Sequence, residues 1–343
     1  MEKQVLVTGA NGYIGSHLVD RLLETTGNHV RCMVLEGTDE SNLDGAREHP
    51  RCSIIHANLL DPPSLASAVD GVDTIYHLAA LVTDWAPKAL FQAVIVDGTR
   101  NLVEAAITAG ARRLVFMSSL TVHGLGGHLD ADEATPIDPV PFFHYAGAKA
   151  EAEHYLEEVN ATTSLETVRI RPAFDIIGSR NVTGFYELAS NLERGRFGFI
   201  NGGEKLICLV TAKTLAAAMI HLAGHPGAAG QAYNVVNESW TWKQYVRELC
   251  SRLGCKEPTL NVRHGVIAPF VIAGEAIAKA FKRKKPPALT RYRIAIPRRD
   301  IDFNAKKLAA TGFVAPFTLG EGLDEAIEWY RQRKASLART RGK

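Results

Sequence analysis

Val5-Leu-Val-Thr-Gly-Ala-Asn-Gly-Tyr-Ile-Gly15 carries a short apolar run directly into three glycines, Gly9, Gly12 and Gly15, spaced three residues apart. Between a strand and a helix such glycines have separate tasks. One closes a tight turn, one lets the backbone approach a pyrophosphate, and one lets the helix pack close to the strand. The helix start then presents its unpaired N–H groups to the anion. Outward from this stretch the same rhythm continues. β-Branched runs at Gln4–Thr8, His29–Val34, Ser53–His56, Thr74–Leu78, Arg113–Ser118 and Glu166–Arg171 predict strands, and amphipathic stretches such as Ile14–Glu24 and Gly98–Ala109 predict helices between them. Right-handed crossovers turn such a series into an α/β fold, a Rossmann-type doubly wound parallel sheet.

Past Pro172 the texture changes to Gly-rich loops, an Ala-rich helix at Lys213–Ala223, a short strand at Ala232–Val235 and a helix at Trp242–Leu253. This predicts a smaller mixed α+β region that takes the substrate. The expected division is a dinucleotide-binding domain over 1–172, a substrate-binding region over 173–330 with some interleaving, and a basic tail over 331–343 that frays. The length of 343 residues allows two domains at about 150 residues each.

Composition narrows the function. Thirty-nine Lys and Arg against 37 Asp and Glu give a net charge of +2, far from the basic excess of a nucleic-acid binder. Five cysteines without a CxxC pair indicate neither a disulfide framework nor a metal site, and fit a reducing compartment. The N-terminus lacks the basic and apolar segments of a signal peptide, so a cytoplasmic protein is expected. Gly265–Phe281 is the most apolar stretch, but it contains Glu275 and Lys279 and falls short of the roughly 20 residues a membrane span needs. It reads either as a core-packing helix or, with Lys282–Lys285 behind it, as a segment 265–285 lying at a membrane interface.

Tyr145 and Lys149 are four residues apart in Tyr-Ala-Gly-Ala-Lys-Ala-Glu-Ala-Glu, a helix-forming run that puts both side chains on one face. A phenol titrates near pH 10, and an ammonium a few ångströms away favours the phenolate, which would draw Tyr145 towards working pH as an acid/base.

These motifs together resemble the extended short-chain dehydrogenase/reductase family. Thr8–Gly15 resembles its glycine fingerprint, Asp73–Ala80 its fourth-strand motif, Gly98–Ala106 its GTxNLxEAA helix, and Ser118–Gly124 its SSxxxxG turn. Tyr145–Lys149 is its YxxxK pair, and Arg171-Pro172 through Gly178 its RPxxxxG segment. The resemblance implies hydride transfer between a nicotinamide and a secondary alcohol or ketone. Tyr145 would be the acid/base, Lys149 the group that tunes it and holds the ribose, and Ser119 the substrate-oxygen ligand, with Ser118 and Thr121 as competing neighbours. Implied cofactor contacts are Gly9, Asn11, Gly12, Tyr13, Ile14 and Gly15 in the loop, Glu36, Asn58, Leu59, Leu78, Ala79 and Ala80 at strand ends, and Tyr145, Lys149 and Pro172. Thr121 and Phe174 are the implied substrate contacts.

The sequence departs from the family where Ile95 replaces an Asn and Asn58 an Asp. Val34 and Leu35 stand where a carboxylate or an Arg would select NAD or NADP, leaving Glu36 or Arg31 to act, with NAD favoured. Val266–Trp329 resembles the 3β-hydroxysteroid and sterol dehydrogenase branch, near dihydroflavonol reductases, which implies an apolar, sterol-like or polycyclic substrate and admits a homodimer. The alternative is a nucleotide-sugar epimerase or dehydratase with tightly held NAD, for which Lys205 is the single candidate phosphate ligand. A cofactor-binding scaffold without activity is disfavoured by the intact Ser, Tyr and Lys.

Overall fold

A computed structural model of the chain describes residues 2–281, 283 and 285–341. Its centre is a sheet of seven strands, every neighbouring pair parallel. In chain order these are β1 (Gln4–Thr8), β2 (His29–Val34), β3 (Cys52–His56), β4 (Thr74–His77), β5 (Arg113–Met117), β7 (Glu166–Pro172) and β10 (Ala232–Val235), arranged β10-β7-β5-β4-β1-β2-β3. Strand order reverses at β1, which lies between β2 and β4. The crevice outside the carboxyl ends of these strands is where doubly wound sheets bind ligands. Val5, Leu6 and Val7 are buried without alternation, as expected of a strand covered on both faces.

Helix α1 (Tyr13–Thr25) follows β1, α2 (Pro62–Val69) follows β3, α3 (Gly98–Thr108) precedes β5, and α4 (His144–Thr162) precedes β7. Alanine-rich α4 forms readily because alanine loses no side-chain entropy in a helix. Its small residues Ala146, Ala148 and Ala152 let it lie close to the sheet. Helix α5 (Ala212–Gly224) packs against α1 on the other face, placing helices on both sides, and α6 (Trp242–Leu253) follows further along the chain.

A second sheet consists of β6 (His128–Ala131), β8 (Asp175–Ile177), β9 (Leu206–Thr211), β11 (Glu238–Thr241) and β12 (Ile301–Phe303). β9 is central to it, antiparallel to β11 and parallel to β8 and β12. The chain crosses residue 172 in both directions: β6 from the first part joins the second sheet beside β12, and β10 from the later part closes one edge of the first. The C-terminal helix α9 (Leu319–Arg341) runs through nearly all of the segment expected to fray, so that expectation is corrected as far as Arg341. It is anchored by Leu323, Ala326, Ile327 and Tyr330, buried at i, i+3, i+4 and i+7.

A buried ion pair joins α4 to β7. Arg171 grips the fully buried Glu153 carboxylate, with Nε to Oε1 at 3.0 Å and Nη2 to Oε2 at 2.6 Å. Burial alone would push that carboxyl up, but the hydrogen bonds and charge of Arg171 hold it below its ordinary value. Substituting Arg171→Met strands the carboxylate in the core and should cost about 3–5 kcal/mol in urea unfolding. A loss under about 1 kcal/mol would show that Glu153 does not depend on the arginine.

Candidate active site

The glycine loop is built by steric exclusion. Gly9 sits at φ +66°, and a Cβ there would lie 3.0 Å from the Ala79 backbone at the end of β4. At Gly15 a Cβ would sit 2.1 Å from the Gly9 carbonyl, so only glycine lets α1 begin here. Gly12 caps the helix without any side-chain cap, leaving the first-turn N–H groups of Tyr13, Ile14 and Gly15 unused by the helix. Uncapped donors at a helix N-terminus without acidic residues in its first turn are what a pyrophosphate requires. These residues fit a dinucleotide.

Thr8, the last residue of β1, organises the other side of the crevice. Its hydroxyl accepts from the Leu78 N–H at 3.1 Å and the Ala79 N–H at 3.0 Å, and meets His77 Nδ1 at 2.8 Å. His77 Nε2 in turn meets the Thr99 hydroxyl at 3.0 Å. Burial draws the His77 imidazole down to about 3, so it is a neutral bridge. Thr8 and Thr99 were not singled out from the sequence, where the single cue was a hydroxyl residue ending an apolar strand. Ile95 is buried and offers only its carbonyl, to Thr99, in a π-type turn spanning Gln92–Asp97.

Tyr145, Lys149 and Glu153 lie on one face of α4 at successive turns, all buried. The Lys149 ammonium donates to the Met117 carbonyl at 2.6 Å, the last residue of β5 and two before Ser119, and sits over the Phe116 ring at 4.3 Å. It is 5.9 Å from the centroid of the Tyr145 ring. Burial draws the lysine down to about 7, opposed by the Glu153 charge. Burial also raises the Tyr145 phenol above its ordinary value. The expected downward shift is absent in the folded chain, where burial alone moves the phenol and the ammonium hydrogen-bonds to backbone.

Ser119 and Ser118 are separated by their partners. The Ser119 hydroxyl accepts from the Thr121 N–H at 3.2 Å and the Thr121 hydroxyl at 2.9 Å, which leaves its own hydrogen available. The buried Ser118 hydroxyl, by contrast, has no hydrogen-bond partner among the described residues. Tyr145 packs against Phe143, 5.5 Å between centroids, and Phe143 stacks on Tyr292 at 3.7 Å with the rings 12° from parallel. Tyr292 comes from a short helix, α8 (Arg291–Ala295), that nothing in the sequence pattern linked to the site.

The remaining expected residues divide clearly. Leu59 and Leu78 are buried, Ala79 and Ala80 half-buried at the crevice, and Pro172 is buried where β7 ends. Asn11 is tied by its amide to the Thr38 hydroxyl and the Asp39 carbonyl, both at 2.9 Å, closing the loop after β2. Exposed Asn58 uses Oδ1 to accept from the Leu60 N–H at 2.9 Å, forming a turn. Phe174 is half-buried and stacks on Phe303.

Three side chains are committed elsewhere. The Tyr13 hydroxyl donates to the Ile176 carbonyl at 3.0 Å, so only its backbone can face an anion. Arg31 donates to the Ala68 and Asp70 carbonyls at 2.9 and 2.8 Å, and Lys205 pairs with Asp300 at 2.7 Å. Two further carboxylates, Asp84 and Asp175, have partners of their own, and Asp84 binds Thr290 and Arg293. Asp175 accepts from Tyr245 at 3.0 Å and burial pushes its carboxyl up to about 6.

Residues 5–236 match the model of the NAD dependent epimerase/dehydratase family. The chain belongs to that family. It is 30% identical to N-acetyl-alpha-D-glucosaminyl-diphospho-ditrans,octacis-undecaprenol 4-epimerase of Escherichia coli O157:H7, covering 96% of each chain. It is also 30% identical to a 3 beta-hydroxysteroid dehydrogenase/Delta 5→4-isomerase of Mycobacterium tuberculosis, covering 95% of this chain and 90% of that one. Among solved structures it resembles a dTDP-glucose 4,6-dehydratase double mutant of Streptomyces venezuelae with NAD bound, with a TM-score of 0.75, 23% identity and coverage of 96% and 98%. This family member is therefore an NAD-dependent enzyme of the extended short-chain type, with both dehydrogenase and epimerase relatives.

The buried lysine has a thermodynamic signature. Below about pH 7 folding must bury the Lys149 ammonium. Between about 7 and its unfolded value near 10.4 the folded state sheds the proton, so the cost falls as pH rises. Lys149→Met should raise the Tm of the cofactor-free protein by about 3 °C or more at pH 6, and the gain should shrink by pH 9. A Tm gain that is constant with pH would contradict a depressed lysine.

Proposed function

We propose that the enzyme interconverts a secondary alcohol and a ketone on an apolar, sterol-like or polycyclic molecule, using NAD. The observation that carries the reading is the surround of Tyr145, which is aromatic through Phe143 and Tyr292, while the basic residue available for a nucleotide-sugar diphosphate, Lys205, is neutralised by Asp300. Bound NAD supplies the hydride acceptor or donor. Tyr145 passes the proton to or from the substrate oxygen, and its raised phenol suits it to donate to a carbonyl. Lys149, pinned to the end of β5, stabilises the phenolate left behind and would be the residue to hold the ribose of bound NAD. Ser119 donates its free hydrogen to the same oxygen, with Thr121 orienting it.

The preference for NAD rests on the loop after β2. Residues 35–42 contain Glu36, Asp39 and Glu40 and no basic residue, so a 2′-phosphate would meet carboxylates. Exposed Glu36 is the carboxylate for the ribose hydroxyls. A second reading, epimerisation of a lipid-linked sugar with retained NAD, is supported by the Escherichia coli relative and uses the same three residues.

Tyr145→Phe should abolish turnover of a hydrophobic alcohol by 10²-fold or more while NAD affinity stays within about twofold. Surviving turnover sinks the mechanism. NAD that remains after dialysis, without net NADH formation, would move the reading to the epimerase. Glu36→Ala should weaken NAD about tenfold, the loss of one hydrogen bond to a charged group, and leave NADP unchanged.

A further inference from the structure

We propose that helix α7 (His264–Ala280) and the basic run behind it form a docking surface for an anionic phospholipid bilayer. This goes beyond the assigned reaction and does not depend on which substrate is turned over.

The helix is built inside out for a protein surrounded by water. Val271, Glu275 and Ala278 face inward, and the Glu275 carboxylate accepts from the Arg291 backbone N–H. Outward, Val266, Phe270, Ala273, Ile277 and Phe281 recur at i, i+4, i+7, i+11 and i+15, one continuous stripe. The large members are 59%, 75%, 59% and 78% exposed. Surface helices ordinarily present polar residues here, and a contiguous exposed apolar patch marks an interaction site.

Charge identifies the partner. Between Pro258 and Arg299 the sequence carries ten Lys and Arg against a single acid, Glu275, which is buried, so the rest of the chain is net acidic. Arg263 lies at the N-terminal end of α7, and Lys279, Arg283 and Lys285 lie at its C-terminal end. All four are exposed, and none forms an ion pair among the described residues. Lys282 and Lys284 lie outside the described residues and enter only through the sequence. Trp85 joins the patch, its Nε1 donating to the Arg283 carbonyl at 2.9 Å with the Lys279 ammonium 5.5 Å from its ring. Tryptophan favours the boundary between apolar and wet phases.

An apolar stripe flanked by unpaired cations fits a helix lying in the plane of a bilayer, its apolar face in the acyl boundary and its basic residues at the headgroups. A two-fold contact between two copies would set the same basic run against itself. A nucleic acid would leave the phenylalanines in water. The surface also borders the site: the chain continues from the basic run into Thr290, bound to Asp84, and Tyr292, stacked on Phe143 beside Tyr145.

The test is co-flotation of the full chain with vesicles of phosphatidylcholine, alone or with one quarter phosphatidylglycerol, at 50 and 300 mM salt. Wild type should float with the anionic vesicles at 50 mM salt and at least tenfold less with the neutral ones. Phe270→Ser/Phe281→Ser should lose binding to both at least tenfold. Lys279→Gln/Arg283→Gln/Lys285→Gln should lose the preference for anionic vesicles and its salt dependence. All these side chains are exposed, so Tm and NAD affinity should be unchanged in each variant. Wild type that stays at the bottom of the gradient, or variants that float as wild type does, would overturn the inference. So would a wild-type dimer that Phe270→Ser/Phe281→Ser converts to monomer, because the stripe would then be covered by a second copy.

Discussion

The close approach of two strand ends underlies everything else in the cofactor crevice. Gly9 turns with positive φ against the Ala79 backbone at a separation that leaves no room for a Cβ. The neighbouring Thr8 hydroxyl collects the amides of Leu78 and Ala79 and one ring nitrogen of His77. A larger residue at position 9 would push the ends of β1 and β4 apart, shift the start of α1, and move both walls of the crevice together. The tolerance is a few tenths of an ångström, because packed interiors cannot absorb an added methyl group without strain.

Charge burial is the second theme, and its sign depends on pairing. Glu153 and Arg171 satisfy each other as a buried pair under α4. Lys149, one turn earlier, has a carbonyl and an aromatic face instead of a direct carboxylate partner, and it is the group whose protonated form is disfavoured. A chain selected only for stability would not place an ammonium there. Sites that bind and react commonly carry such a cost, and here the cost falls on the residue expected to touch the cofactor.

How far the sequence could be read follows from the range of each interaction. Strands β1 to β5 and the glycine loop were legible because apolar runs and glycine spacing are local signals. The pairing of Tyr145 with Lys149 was legible because a helix fixes their separation. The side-chain partners of Tyr13, Arg31 and Lys205 were not legible because each lies far along the chain, at Ile176, the end of α2 and Asp300 respectively. The second sheet was largely missed, since strands of three to six residues drawn from five separate segments carry little periodicity. Tyr292 left no local trace at all, since its role exists only through a stack on Phe143.

The threading of the two sheets through each other has a consequence for how the molecule is made. β6 finds its neighbour only when β12 is available, 170 or so residues later, and the edge of the main sheet at β7 stays open until β10 arrives. A nascent chain leaving the ribosome therefore cannot complete its amino-terminal half and then its carboxyl-terminal half in turn. Pairings of such long loop length are slow to close, and until they do a bare strand edge is presented to every neighbouring chain. The interleaving that sets the second sheet beside the cofactor crevice also makes the synthesis of this protein a period of exposure to aggregation.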